Sequence, residues 1–528
     1  MRDDLLIISA EDLEAVESRL YGFMVADDGE LVRDRVPERA SEVGCYVLVE
    51  RDAGSITVRQ DFYGSFGLYL WRSSDGSRFM LSNSFFALAD RLRGKLSLNR
   101  ECALALAAAR DVPGTYSATL ANEIEHLDSN CVVRISLADG RLSLEQTPRT
   151  YFARRLGQPG SFELLDAWYF KWVGILRRLV ADGYPIVCDL SGGIDTRIIL
   201  AMLRSGNVDV PASMRIRTHT KGKLPKDAED LRVAGLVADA CGLTLNGEDV
   251  VALERHEDVP AHLAFEQVRR WQLSSSIQVK FTHKESDIPL VRLRGFGSRI
   301  KGTFRSSPGE FRGLWMRYAR DFGLSEADQR ALIEYYRAQS DAALRGYAGP
   351  PSHEATLLDK KVYMEGRDTR KAVALLEGNQ FVVSPFVDPL LFELDYNPPL
   401  TSNLFLACVI LDRYAPDLRD IELQGRVLPE RDLKLAQAMN RAHPLQPREF
   451  EPVAGQPSHV TLHTSSDAEM AEMLEEVWQA PEFLERVGNV VGLEQARRVI
   501  AGMDKERLSV GFQPIDGLLA IDEFLRLI

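Results

Sequence analysis

Residues 185–206 read PIVCDLSGGIDTRIILAMLRSG. The apolar run Pro185 to Leu190 predicts a buried strand, the glycine pair a tight turn, and Asp195 onward a helix. A strand-to-helix turn of this kind is where doubly wound sheets bind ligands. Two glycines let the backbone approach an anion closely, and the exposed amides of the helix start favour negative charge. Ser191 and Thr196 offer hydroxyls to phosphate oxygens. Asp195 would be repelled by phosphate alone, so its expected task is to hold a magnesium ion that the phosphates share.

Working outward, FELLDAWYFKWVGILRRLV before this stretch predicts an amphipathic helix. PASMRIRT after it predicts a second strand, and DAEDLRVAGLVADACG a second helix stopped by Gly242. Strands alternating with helices imply a parallel sheet. The N-terminal third differs: CYVLVERD, SITVRQD, FGLYLWRSS and RFMLSNS alternate with period two, the pattern of antiparallel strands. Asn99 to Arg110 predicts a helix and Asp139-Gly140 a hairpin turn. Two domains are expected, a sheet-rich one over 1–150 and a strand-helix one over 151–528. The second is expected to be mostly helical after 325, with a capping box at Ser466-Asp467-Ala468-Glu469 and a loose segment from Arg448 to Ser458.

With 528 residues the chain is long enough for such a division, and its hydrophobic and charged fractions are ordinary for a globular protein. A formal net charge of -13 excludes a generally nucleic-acid-binding surface, though a local basic pocket is compatible with it. Six scattered cysteines show no metal-like spacing to the nine histidines and suit a reducing compartment. The charged start MRDDLLIISAEDLEAV lacks the apolar core of a signal peptide. No membrane association, no nucleic acid and a cytoplasmic location are the expectation.

Ser191-Gly192-Gly193-Ile194-Asp195-Thr196 resembles the S-G-G-x-D-S signature of the PP-loop ATP pyrophosphatases, and its surroundings are similar to the asparagine synthetase branch. Asp61-Phe62-Tyr63-Gly64-Ser65-Phe66-Gly67-Leu68-Tyr69 resembles the D-x-x-G-x-x-x-L-Y turn of the glutaminase domains in that family, and Thr119 to Leu127 the segment that follows. The resemblance implies an α/β protein. An N-terminal antiparallel β-sandwich of Ntn-hydrolase type would precede a PP-loop domain with a parallel sheet flanked by helices and a helical C-terminal part. ATP and Mg2+ are implied as cofactors. Leu190, Ser191, Gly192, Gly193, Asp195 and Thr196 would surround the phosphates, Ile216 would approach adenine, and Gly295 and Gly297 would frame the pocket.

The sequence departs from the family in two places. Glutamine-hydrolysing members carry a cysteine directly after the initiator methionine, whereas this chain has Arg2, and its nearest cysteine is Cys45 inside a predicted strand. Relatives without the nucleophile, resembling β-lactam synthetase and the lasso-peptide cyclases, use an amine already present on the substrate. The second signature, G-(Glu or Tyr)-G-(Ser or Gly)-D, here reads Gly295-Phe296-Gly297-Ser298-Arg299. A phenyl ring has no proton to exchange, and a guanidinium attracts pyrophosphate rather than a metal.

Arg294, Arg299, Lys301 and Arg305 would then neutralise pyrophosphate, with magnesium held by Asp195 and the nucleotide. Leu358 to Arg367 resembles the helix that lines the acceptor pocket, with Tyr363 a better candidate than Glu365. Ser384 to Asp388 resembles the turn that follows, and Lys434 stands nearest to the family's C-terminal lysine. The implied function is an ATP-dependent amide-bond-forming ligase: carboxylate adenylation, pyrophosphate release and capture by an amine, with a small-molecule or peptide substrate supplying both groups. The alternative is a catalytically impaired pseudoenzyme acting as a nucleotide-binding or regulatory protein partner in a biosynthetic pathway.

Overall fold

The computed structural model describes residues 4–109, 116–218, 225–247, 251–271, 273, 284–295, 308–345, 347, 353–358, 360–361, 370–395, 402–501 and 515–528. It is a mixed α/β protein with both antiparallel and parallel sheets.

The alternating runs of the N-terminal third form two antiparallel sheets. Strands Ile7–Ser9, Phe79–Ser82, Tyr69–Arg72 and Ile124–His126 lie side by side in one. The other has the order Leu142–Gln146, Cys131–Ser136, Ser55–Gln60, Gly44–Arg51, Arg19–Val25 and Leu31–Val32. Its middle is covered on both faces: Cys45, Val47 and Val49 point into the main core, while Tyr46 and Leu48 join Leu20, Met24 and Val32 in a small separate cluster. Gly140 takes φ +66° in the hairpin between Cys131–Ser136 and Leu142–Gln146, a conformation glycine adopts without strain.

Behind this, the strand-helix segment builds a four-stranded parallel sheet in the order Met214–Arg217, Ile186–Asp189, Leu290–Leu293 and Gln380–Val383. The chain leaves Ile186–Asp189 to one side first and to the other side later. The order therefore reverses between Ile186–Asp189 and Leu290–Leu293, and a crevice at their carboxyl ends is the natural ligand position. Ile186, Cys188, Met214, Ile216, Val291, Leu293, Phe381 and Val383 face the main core together with helices Ser161–Ala181, Asp195–Ser205 and Phe405–Tyr414. The opposite face turns toward a three-stranded sheet of Val251–Val259, Ser458–Ser465 and Lys284–Ser286, where Val187 and Leu290 meet Val251, Val460 and Leu462.

Two details differ from expectation. The region after 325 is mainly helical but, among the described residues, also supplies four strands, two of them only two residues long. Gln380–Val383 completes the parallel sheet and is too short to show a period, and Ser458–Ser465 is the middle of the three-stranded sheet. The segment Arg448 to Ser458 is tied down, because Val453–Ala454 pairs in parallel with Val208–Asp209 and the Gly455 amide donates to Ser213 Oγ. Apolar side chains from both sides of residue 150 pack together. One core runs from Phe23 and Cys45 to Phe381 and Leu411, and a second joins Phe85 and Cys102 to Ile515 and Phe524 of the C-terminal helix Ile515–Leu525. That helix crosses Arg100–Ala108 so closely that a Cβ on Gly517 would lie 2.5 Å from the Leu106 carbonyl oxygen.

Candidate functional site

Strand Ile186–Asp189 ends in the Ser191–Ile194 turn, and helix Asp195–Ser205 begins at once, with no side-chain cap on its first turn. The turn's own amides already have partners. Ser191 N–H donates to Thr196 Oγ1 at 3.2 Å, Gly193 N–H to Ser191 Oγ at 3.2 Å, and Gly192 N–H to the Asp230 carboxylate at 2.9 Å. The Ser191 and Thr196 hydroxyl oxygens act as acceptors in these bonds. A turn buried this far must satisfy its N–H groups locally. All three acceptors are side-chain oxygens, which rotate away more readily than a backbone carbonyl moves. On the other side the Gly192 carbonyl accepts from Gln424 N–H at 3.2 Å.

At the switch point Gly295, the first residue of the second glycine motif, meets Asp195 of the first. Gly295 follows strand Leu290–Leu293, and a Cβ placed on it would lie 2.3 Å from Asp195 Cβ, closer than real Cβ atoms come. Only glycine passes there. Besides Asp195 and Asp230, the described charged residues near the ends of these strands include Asp189, Arg217 and Arg294. Asp189, 8% exposed, is bridged by Arg217 Nε at 2.9 Å and by Arg294 Nε at 3.0 Å. Arg292, 2% exposed, sits on the same sheet face as Val187.

The helix behind the turn is anchored by Arg197, which sequence reasoning passed over. It is fully buried and donates to three backbone carbonyls, Leu418 at 2.9 Å, Ile421 at 2.6 Å and Glu422 at 2.8 Å. Burial lowers its pKa to about 10, so it stays charged at neutral pH. Asp388, from the turn after the acceptor-helix resemblance, is also an anchor: it accepts from Trp172 Nε1 and Leu390 N–H at 2.9 Å and pairs with Lys171 at 3.0 Å.

Other predicted residues fall elsewhere. Leu190 is buried, and its amide donates to the Arg217 carbonyl. The Ile216 side chain lies in the main core and its carbonyl accepts from Asn246 N–H. Lys434 is exposed and pairs with Glu430 one turn back on helix Glu430–Ala442. Cys45 is buried in strand Gly44–Arg51, where it cannot serve as an exposed nucleophile. Phe296, Gly297, Arg299, Lys301, Arg305, Tyr363, Glu365, Arg367 and Arg2 lie outside the described residues.

The described end of the acceptor-helix resemblance meets the N-terminal sheets. Lys360 is fully buried, with its ammonium 4.3 Å from the Phe62 ring centre and 5.0 Å from that of Tyr63, and Tyr151 and Phe392 complete a cage. Lys361 pairs with Asp128 and donates to Tyr116 Oη at 3.2 Å. Burial would raise the Asp128 pKa, but Lys361, Tyr116 and Lys360 outweigh it and hold the carboxyl at about 2. Beside this joint lies a cavity of about 640 Å³ walled by Tyr116, Asp128, Arg149, Tyr151, Tyr347 and Lys361.

No protein-family model matches the chain, and no curated protein matches it. Among the described residues no group of histidine, cysteine and carboxylate side chains is arranged to hold a metal by itself, and no helix is long and apolar enough to cross a membrane.

Proposed function

We propose that the chain is an ATP-dependent amide-bond-forming ligase of asparagine synthetase type that does not hydrolyse glutamine. The observation that carries this reading is the meeting of Gly295 with Asp195 at the switch point, beside a strand-turn-helix whose first helical turn has no side-chain cap. Gly295 and the Ser191–Thr196 turn are far apart in sequence and meet at one carboxylate, as they would if a backbone path had to stay narrow there. ATP supplies the activation that makes a carboxylate electrophilic, AMP being a good leaving group and pyrophosphate the by-product.

The chain's own residues would bind and orient. Asp195 would hold a magnesium ion, which needs only one or two protein carboxylates when phosphates complete its shell. Arg217 and Arg294 supply positive charge at the edge of the crevice, where electrostatic stabilisation of a leaving polyanion is strong. The Ser191 and Thr196 hydroxyls would exchange their present amide partners for phosphate oxygens. Asp230 would leave the Gly192 amide when an anion arrives. The cavity beside Lys361 offers room for a small-molecule or peptide substrate bearing the carboxylate and amine.

A second reading, a nucleotide-binding protein without turnover that partners a biosynthetic enzyme, is favoured by one specific feature. Asp230 already neutralises the Gly192 amide, and Asp189 already holds two arginines. Pyrophosphate release separates the two readings. Purified protein incubated with ATP, Mg2+ and a panel of amino-acid and peptide substrates releases pyrophosphate under the ligase reading, and none under the second.

A further inference from the structure

Strand Leu142–Gln146 closes one end of the six-stranded sheet, paired with Cys131–Ser136. Ser136 N–H donates to the Arg141 carbonyl and Thr147 N–H to that of Asn130, both at 2.9 Å. Hydrogen-bonded pairs recur at every second residue of an antiparallel ladder, so Ser143 and Glu145 turn their main-chain groups inward. Leu142, Leu144 and Gln146 turn theirs outward, and among the described residues no group bonds to those N–H and C=O groups. The opposite end of the same sheet is only Leu31–Val32, with both residues buried. Exposed edges are ordinarily shortened, covered, or guarded by lysine, proline or a bulge. Leu142–Gln146 reads LSLEQ, keeps an unbroken register and carries an exposed leucine, Leu144. Its one charge, Glu145, is tied back across the ladder to Arg134 at 2.8 Å.

This edge runs into the cavity of about 640 Å³ beside Lys361, because Leu144 and Gln146 belong to both. Their side chains share a face with Val133 and Cys131, opposite which they pair. A strand added beside them would send every second side chain to that face, toward the cavity. The walls there are aromatic and aliphatic, including Tyr116, Leu127, Tyr151, Tyr347 and Leu357. The charged residues lining it largely cancel. Lys361 pairs with Asp128 and Arg149 with Glu42, His126 Nδ1 lies 3.0 Å from the Tyr116 carbonyl oxygen, and Glu125 and Arg345 are of opposite sign. Recognition therefore falls to main-chain bonds and apolar contacts. We propose that the edge Leu142–Gln146 docks an extended peptide segment as an added strand, with apolar residues at alternate positions entering the cavity. Outward donors and acceptors repeating at every second residue match a polypeptide backbone and have no counterpart in a small metabolite. Docking needs no ATP, although calling the peptide a substrate rests on the ligase reading and narrows it from a small molecule or peptide to a peptide.

The test pans a phage-displayed library of short random peptides on the full chain without ATP and titrates the synthesised hits by fluorescence anisotropy. Hits with apolar residues at every second position are expected to bind saturably, and their scrambled versions about tenfold more weakly or worse. N-methylation of successive residues of a hit is expected to abolish binding at alternate positions and leave it unchanged at those between, the signature of an added strand. Leu144→Lys keeps every ladder bond and is expected to weaken binding about tenfold with little change in Tm. Gln146→Pro removes an outward N–H that the sheet does not use and is expected to act likewise. Should either variant fail to fold, the N-methyl scan on the wild-type chain decides. No hits, binding indifferent to N-methylation at every position, or unchanged binding by both folded variants overturns the proposal. A wild-type dimer in analytical ultracentrifugation that Leu144→Lys converts to monomer assigns the edge to a second copy of the chain and overturns the peptide. None of these outcomes touches the ligase reading, which fails on ATP binding and pyrophosphate release.

Discussion

Two glycine turns, Asp61–Gly67 in the front sheets and Leu190–Thr196 in the parallel-sheet region, look alike in sequence and differ in how their polar groups are satisfied. In the first, the buried Asp61 carboxylate accepts from Tyr46 N–H at 3.1 Å, from Tyr63 N–H and Ser65 N–H at 3.0 Å, and from Ser65 Oγ at 3.0 Å. That turn is complete in itself. In the second, amides lean on exchangeable side-chain oxygens, and Arg217 and Arg294 nearby share the Asp189 carboxylate. Under the proposed function the first turn is scaffold, and the second would exchange its side-chain acceptors for those of a ligand.

Breaking the scaffold turn has the largest expected effect. Asp61→Ala leaves three backbone N–H groups buried without acceptors and is expected to lower the free energy of unfolding in urea by about 4 kcal/mol. A fall of less than about 1 kcal/mol would remove the contrast between the two turns. Next comes Gly295→Ala, whose new methyl meets Asp195 Cβ at 2.3 Å. About 2–3 kcal/mol of stability should be lost through overpacking, together with ATP affinity, because Asp195 has to move. Loss of stability with ATP affinity retained would detach Gly295 from the crevice.

The joint between the front sheets and Lys361 gives a pH test. Asp128 has its pKa depressed to about 2, so its contribution is fully present above the unfolded value near 4 and is lost as pH falls through about 2. Asp128→Asn should therefore cost roughly 2 kcal/mol at pH 7 and flatten the decline in stability between about pH 4 and pH 2. An unchanged acid limb in urea titrations would argue against the buried pair. The smallest effect on stability is expected for Asp230→Asn, within about 0.5 kcal/mol, since an amide oxygen still meets the Gly192 N–H. Its effect on ATP binding is the sharper readout: removing a negative charge from the turn should tighten binding roughly threefold in calorimetry.

Much of the scaffold was legible in the sequence because periodicity and turn chemistry act locally. The alternating runs became strands and DTRIILAMLRS became a helix. Ser466 caps helix Asp467–Gln479 by accepting from Glu469 N–H at 3.4 Å. What sequence did not reveal depends on distant pairing. Gln380–Val383 has no period of its own and is a strand because Leu290–Leu293 lies beside it. Asp189 and Arg292 interrupt apolar runs, and only the register of the sheet shows that they share a face with Arg217. Arg197 reads as one charge in a helix, and its three carbonyl partners lie more than two hundred residues further on. The signal that could have found the arginine cluster was alternation: R-I-R at 215–217 and R-L-R at 292–294 put two arginines on one face of each strand.

The most direct measurement is equilibrium dialysis of the purified chain against ATP, with and without Mg2+, alongside Asp195→Asn. Saturable ATP binding by the wild-type chain that strengthens with magnesium, and loses that magnesium dependence in the variant, is the predicted result. No retention of ATP at millimolar concentration, or identical retention by both proteins with and without the metal, would contradict it.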